Sequence, residues 1–153
     1  MSTADLAQLY RDQVLQHSRA PTHRRRVDNA TMAVTGNNPL CGDKLTVYLT
    51  LHADTIADVS FEGSGCAISV ASASMLSEML SGVERPHAQQ LINDTLSWLG
   101  SAIDTPPPTQ LAKTPISALA AVRQYPSRVK CATLAWHAAA NATHNQSTTV
   151  TTE

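Results

Sequence analysis

Lys44-Leu45-Thr46-Val47-Tyr48-Leu49-Thr50-Leu51-His52, followed after Ala53-Asp54 by Thr55-Ile56-Ala57-Asp58-Val59-Ser60-Phe61-Glu62, is the stretch on which the fold turns. In the first run Leu45, Val47, Leu49 and Leu51 point one way, and Thr46, Tyr48, Thr50 and His52 the other. In the second, Ala57, Val59 and Phe61 alternate with Asp58, Ser60 and Glu62. Period two with one apolar face describes strands of a sheet covered on one side only. The two-residue link makes the pair an antiparallel hairpin.

Outward from the hairpin the pattern changes. Upstream, residues 30–36 form a third, weaker strand. Residues 4–17 are predicted helical from the spacing of Leu6, Leu9, Tyr10, Val14 and His17, with Pro21 as the stop. Between them His23-Arg24-Arg25-Arg26 is a short basic run, read as a solvated loop. Downstream of Cys66 the period becomes helical, with Ile68, Ala71, Met75, Leu76, Met79 and Leu80 in one stripe and Gly82 at its end. A second helix follows Pro86 and faces inward with Leu91, Ile92, Leu96 and Leu99. Pro106-Pro107-Pro108 is a stiff connector, and a short helix spans 115–124. The last helix covers 127–140, with Ser127 as N-cap and Val129, Leu134, Ala135 and Ala138 inward. Strands and helices are segregated, so the class is α+β: a three-stranded antiparallel sheet with helices packed on one face. Residues 1–140 form one domain. Residues 141–153, rich in Thr and Asn, are expected to be a disordered tail.

Composition excludes several functions. Charged residues make up 15% of the 153 and the net charge is −1, so there is no basic footprint for nucleic acid. Aromatics are only 4%, too few for a base-stacking platform. No apolar run is long enough for a membrane span and the first residues hold no signal core, so the chain reads as cytoplasmic. In that compartment three cysteines point to metal binding or reactive thiols rather than disulfides.

Each cysteine sits at an element boundary. Asn38-Pro39-Leu40-Cys41-Gly42-Asp43 joins two strands, and Gly42 lets the chain bend so that Cys41 and Asp43 turn to one point. Phe61-Glu62-Gly63-Ser64-Gly65-Cys66 is a strand-to-helix turn that leaves Cys66 at a helix start, where the dipole favours a thiolate. Cys131 lies one turn into the last helix. Three thiolates and one carboxylate, from Cys41, Cys66, Cys131 and Asp43, are enough for a closed four-coordinate zinc site. With +2 from the metal and −4 from its donors the site carries −2, and Lys44, Arg128 and Lys130 lie near enough in sequence to offset it. None of the six histidines has ligand spacing.

These stretches, with Ala67-Ile68-Ser69, Ala71-Ser72-Ala73-Ser74-Met75 and Tyr125-Pro126-Ser127-Arg128-Val129-Lys130-Cys131-Ala132-Thr133-Leu134-Ala135-Trp136, resemble the U-type iron–sulfur assembly proteins, and within them the SufU branch. The resemblance covers roughly residues 6–140. It implies a SufE/NifU-like fold and a zinc-dependent sulfurtransferase working with a SufS-type cysteine desulfurase and passing sulfur to a downstream acceptor or cluster scaffold. By the same resemblance Cys41 is the sulfur-accepting cysteine, Asp43, Cys66 and Cys131 are the remaining zinc ligands, and Arg128 supports activity. Lys130 stands where the similar IscU scaffolds carry a histidine. The N-terminal Asp-His-Tyr-x-Asn-Pro pattern of the family is here Gln16-His17-Ser18-Arg19-Ala20-Pro21, keeping His17 and Pro21. Two alternatives stand beside sulfur transfer. One is a scaffold holding iron or an iron–sulfur cluster on the same four residues. The other is a purely structural zinc module.

Overall fold

The hairpin forms as the alternation requires. In the computed structural model, which describes residues 2, 4, 5, 8 and 10–152, β2 (Asp43–His52) and β3 (Thr55–Ser64) pair antiparallel. On the outer side of β2 lies β1 (Met32–Asn38), also antiparallel, in a register that sets Asn38 opposite Asp43. Leu45, Val47 and Leu49 are fully buried on the inner face, as their spacing demands.

β3 departs from simple alternation. Thr50 pairs with Asp58 but Leu51 pairs with Ile56, so Ala57 is an extra residue, a β-bulge. A one-residue insertion flips the faces beyond it, and here it sends Ile56 inward and leaves Ala57 exposed. The inward placement expected of Ala57 therefore does not hold.

Helix α1 (Leu15–Arg19) continues a π-helical turn at Tyr10–Val14 and ends before Pro21. Leu6 and Leu9, part of the expected apolar spacing, lie outside the described residues, as does the side chain of Tyr10. After the sheet come α2 (Ala67–Leu80), α3 (Arg85–Leu99), the single turn α4 (Thr109–Ala112), a 3-10 segment at Pro115–Gln124, and α5 (Pro126–Thr143). Helix α5 starts with Pro126 at its first position and Tyr125 as its N-cap, so Ser127 lies inside the first turn rather than capping it.

Helices α2 and α5 cover the inner face of the sheet. They are pinned to each other where they cross: Trp136, fully buried, donates its Nε1–H to Ser72 Oγ at 3.0 Å, and Ser72 Oγ donates to the Ala132 carbonyl at 2.6 Å. The helices that carry Cys66 and Cys131 are thereby fixed against one another.

The sheet has four strands, not three. Its order is β3-β2-β1-β4, with β4 (Val150–Thr151) parallel to β1. The residues beyond 140, expected to be disordered, complete α5 as far as Thr143 and then return to close the edge of β1. The opposite edge is covered too. Phe61 N–H donates to the His23 carbonyl, and Arg24 donates to the Gly63 carbonyl at 2.7 Å, so the basic run straps β3 rather than forming a free loop.

Candidate metal centre

Four short segments meet at the end of the sheet. Cys41 stands on the β1–β2 loop, where Gly42 adopts φ 70° and turns the chain into β2. That loop is exposed: Leu40 keeps 69% of its surface and Cys41 is open to solvent. Asp43, the first residue of β2, is by contrast 2% exposed. Cys66 is the N-cap residue of α2 and is half-buried. The turn before it needs Gly63, with φ 121°, because a Cβ there would fall 2.1 Å from the Lys44 carbonyl oxygen. Cys131 projects from α5 back toward its first turn, 3.7 Å from the Ser127 carbonyl, and is fully buried.

The sulfurs of Cys41 and Cys131 lie 3.2 Å apart, and with a carboxylate oxygen of Asp43 they form a group in which all donor atoms are within 4.8 Å of one another. Cys66 stands at the rim of this group, its sulfur 3.9 Å from Asp43 Oδ2, and is not one of the three. Donors at zinc-like bond lengths in a tetrahedron are about 3.3–3.8 Å from each other. The three-residue group, with Cys66 beside it, is therefore close to the spacing that a single divalent ion imposes. The donor set, thiols with one carboxylate, also fits zinc or iron by its chemistry.

Asp43 is held from both sides by the start of α2. Its Oδ1 accepts the Cys66 N–H at 2.8 Å and its Oδ2 accepts the Ser69 hydroxyl at 2.6 Å. Ser69 is fully buried and also lies 3.5 Å from the sulfur of Cys66. The carboxylate thus caps the helix while facing the cysteines, which fixes its orientation. Burial pushes the Cys131 thiol well above its ordinary range, and its neighbours Cys41, Cys66 and Asp43 push it the same way. A cation among these donors reverses that cost.

The expected counter-charges are not engaged. Among the described residues no cation pairs with Asp43; Lys44 and Arg128 are exposed and Lys130 is half-buried. Two supporting residues escape sequence reasoning. Ser69 is one. Asn38 is the other: it is fully buried, and its side-chain N–H reaches the Cys131 sulfur at 3.5 Å. Both lie within the quoted motifs, but neither type is a usual zinc ligand, so ligand spacing gives no signal for them. The histidines stay outside the site. His17 is buried against Ser74, with 2.7 Å between Nδ1 and Oγ, and clamps α1 to α2.

An antiparallel sheet backed by helices, with cysteines and one buried aspartate gathered where its loops meet the helix ends, defines a small α+β domain with a cysteine-rich candidate metal site. Residues 9–132 match the family described as the NifU-like N terminal domain, and the chain belongs to that family. It is 36% identical over 138 residues to the iron–sulfur cluster assembly scaffold protein IscU of Streptococcus pyogenes serotype M1, covering 90% of this chain and 84% of that protein. It is equally 36% identical over 138 residues to the zinc-dependent sulfurtransferase SufU of Bacillus subtilis, covering 88% and 89%. Among solved structures, a putative iron–sulfur cluster assembly scaffold protein for the SUF system from Fervidobacterium islandicum superposes with a TM-score of 0.74 at 31% identity, covering 86% of this chain and 93% of that one.

Proposed function

We propose that this protein is a zinc-dependent sulfur-transfer protein of iron–sulfur cluster assembly, acting in the cytoplasm, with Cys41 taking sulfur from a SufS-type cysteine desulfurase. The observation that carries this reading is the gradient of exposure across the three cysteines: Cys41 open, Cys66 intermediate, Cys131 buried. Sulfur arriving on another protein has to meet an accessible thiolate, and Cys41 on its exposed loop is the one offered.

Cys41, Asp43, Cys66 and Cys131 would hold the zinc. When bound, the ion supplies a positive charge that keeps the thiols deprotonated, without redox chemistry of its own. In the transfer, the Cys41 thiolate attacks the outer sulfur of the desulfurase persulfide. The new S–S bond forms on Cys41, the old one breaks, and the desulfurase cysteine leaves as a thiolate with the electron pair. Arg128, exposed on the first turn of α5, supplies positive charge for the docked, negatively charged persulfide. A downstream acceptor or cluster scaffold then receives the sulfur from Cys41. Among the described residues no helix is long and apolar enough to cross a membrane.

Mixing the protein with a SufS-type desulfurase and L-cysteine tests the proposal. Cys41→Ser should abolish both the stimulation of turnover and the persulfide mass increment on this chain; stimulation equal to that of the parent would rule out Cys41 as the acceptor.

A scaffold role on the same residues is the second reading. It is favoured by the soft, thiolate-rich donor set and by the equally similar relative that is named a scaffold. Anaerobic reconstitution with iron and sulfide separates the two. A stable cluster that displaces zinc, seen by absorption, would put the scaffold first.

A further inference from the structure

We propose that Asn38 is a positioning residue for Cys131, holding its sulfur as a hydrogen-bond acceptor and so tuning the metal site without touching the metal. This role rests on the metal-site reading above.

Asn38 ends β1 and reaches the site in three ways. Its backbone pairs in register with Asp43, its carbonyl accepts the Cys41 N–H at 3.2 Å, and its side-chain Nδ2 donates to Cys131 Sγ at 3.5 Å. Both Asn38 and Cys131 are fully buried. A negative sulfur there has no water to solvate it, and the cations nearest in sequence do not close over it. A neutral N–H donor stabilises the thiolate with no second buried charge.

The other end of the same amide makes the case. Among the described residues, Asn38 Oδ1 is buried with no hydrogen-bond partner. A buried unsatisfied carbonyl is costly, so an asparagine that served only to fill space would be better replaced by an apolar side chain of similar size. The amide is tolerated because its N–H faces the sulfur.

Stability and metal affinity should therefore move apart in Asn38→Val, which places a β-branched apolar side chain at the strand end and removes both amide atoms. The metal-free thermal midpoint should equal or exceed that of the parent. Zinc affinity, measured by competition with a chromophoric chelator, should fall about 10- to 100-fold. With cobalt(II) as the probe, the sulfur-to-metal charge-transfer bands should shift in position at full occupancy. Unchanged affinity and unchanged bands would overturn the proposal, and so would a midpoint well below the parent with unchanged affinity, which would make Asn38 a packing residue. Should Asn38→Val fail to fold, Asn38→Ala is measured in its place with the same expected loss. A parent that takes up neither zinc nor cobalt removes the metal site itself, and this role with it. A parent that binds both and a variant that binds identically removes only the role of Asn38.

Discussion

Ser69 ties together three of the proposed ligands. Its hydroxyl donates to Asp43 Oδ2 at 2.6 Å, lies 3.5 Å from the Cys66 sulfur and approaches the Cys131 carbonyl at 3.4 Å. In Ser69→Ala the buried carboxylate loses a donor and its orientation rests on the Cys66 N–H alone. Zinc affinity should then drop by about tenfold or more. Ser69→Thr should recover part of the loss if its extra methyl fits. Chelator competition on both variants measures this, and an alanine variant that binds zinc like the parent would show that Asp43 needs no second donor. At this scale the sequence is legible where chemistry is unusual. Three cysteines in a weakly charged chain declare themselves, and Asp43 follows from its spacing to Cys41. Serine and asparagine are common everywhere, so nothing in Ser69 or Asn38 taken singly marks them as supports. Their roles arise only when β1, α2 and α5 bring them to the same end of the sheet.

The elements were legible in proportion to how well polarity reports burial. β2 alternates cleanly and is legible as a strand. Helix α2 is legible from a stripe that includes Ile68, Ala71, Met75, Leu76 and Leu80, yet Ser69, Ser72, Ser74 and Ser77 are also fully buried. Each of these hydroxyls is satisfied inside the fold, by Asp43, the Ala132 carbonyl, His17 with Thr22, and the Ala73 carbonyl. A helix buried on nearly every side thus looks amphipathic in sequence. The outer face of the sheet hides a similar case. Tyr48, on the polar side of β2, is 7% exposed, and its hydroxyl donates to Glu62. Burial, reinforced by the Glu62 carboxylate, raises its phenol to about 12, against an ordinary value of 10.0. Between those values the unfolded chain loses this proton while the folded chain keeps it, so stability falls as pH rises from about 10 to about 12. Tyr48→Phe removes that contribution. Urea midpoints followed across this window should fall less steeply for the variant than for the parent; parallel curves would mean that Tyr48 titrates alike in both states.

On the scale of the whole molecule, the C-terminal residues matter more than their composition suggests. Thr and Asn in a run, with no apolar periodicity, give no reason to expect order, and a two-residue strand is too short to be read from a pattern. What orders it is the edge of β1, whose unpaired groups need a partner. Thr152 does the joining. Its N–H donates to the Asn37 carbonyl and its hydroxyl to the Lys130 carbonyl, both at 3.1 Å, and it is 8% exposed. Asn37 and Lys130 immediately precede Asn38 and Cys131, so one threonine staples together the two backbones that bear that pair. Loss of one such hydroxyl bond typically costs about 1 kcal/mol. In a domain of this size that lowers the thermal midpoint by about 2–4 °C. Thr152→Ala should show that drop together with faster amide hydrogen exchange at the end of β1, and a weaker grip on zinc although no ligand has changed. A chain ending at residue 149 should go further: its core of β1–β3, α2 and α5 stays whole, but the bared edge of β1 becomes available to another strand. Size-exclusion chromatography of that shortened chain should reveal more concentration-dependent association than the full chain shows, and a short form that elutes like the full chain with parent-like zinc affinity would mean that β4 merely rests on the sheet.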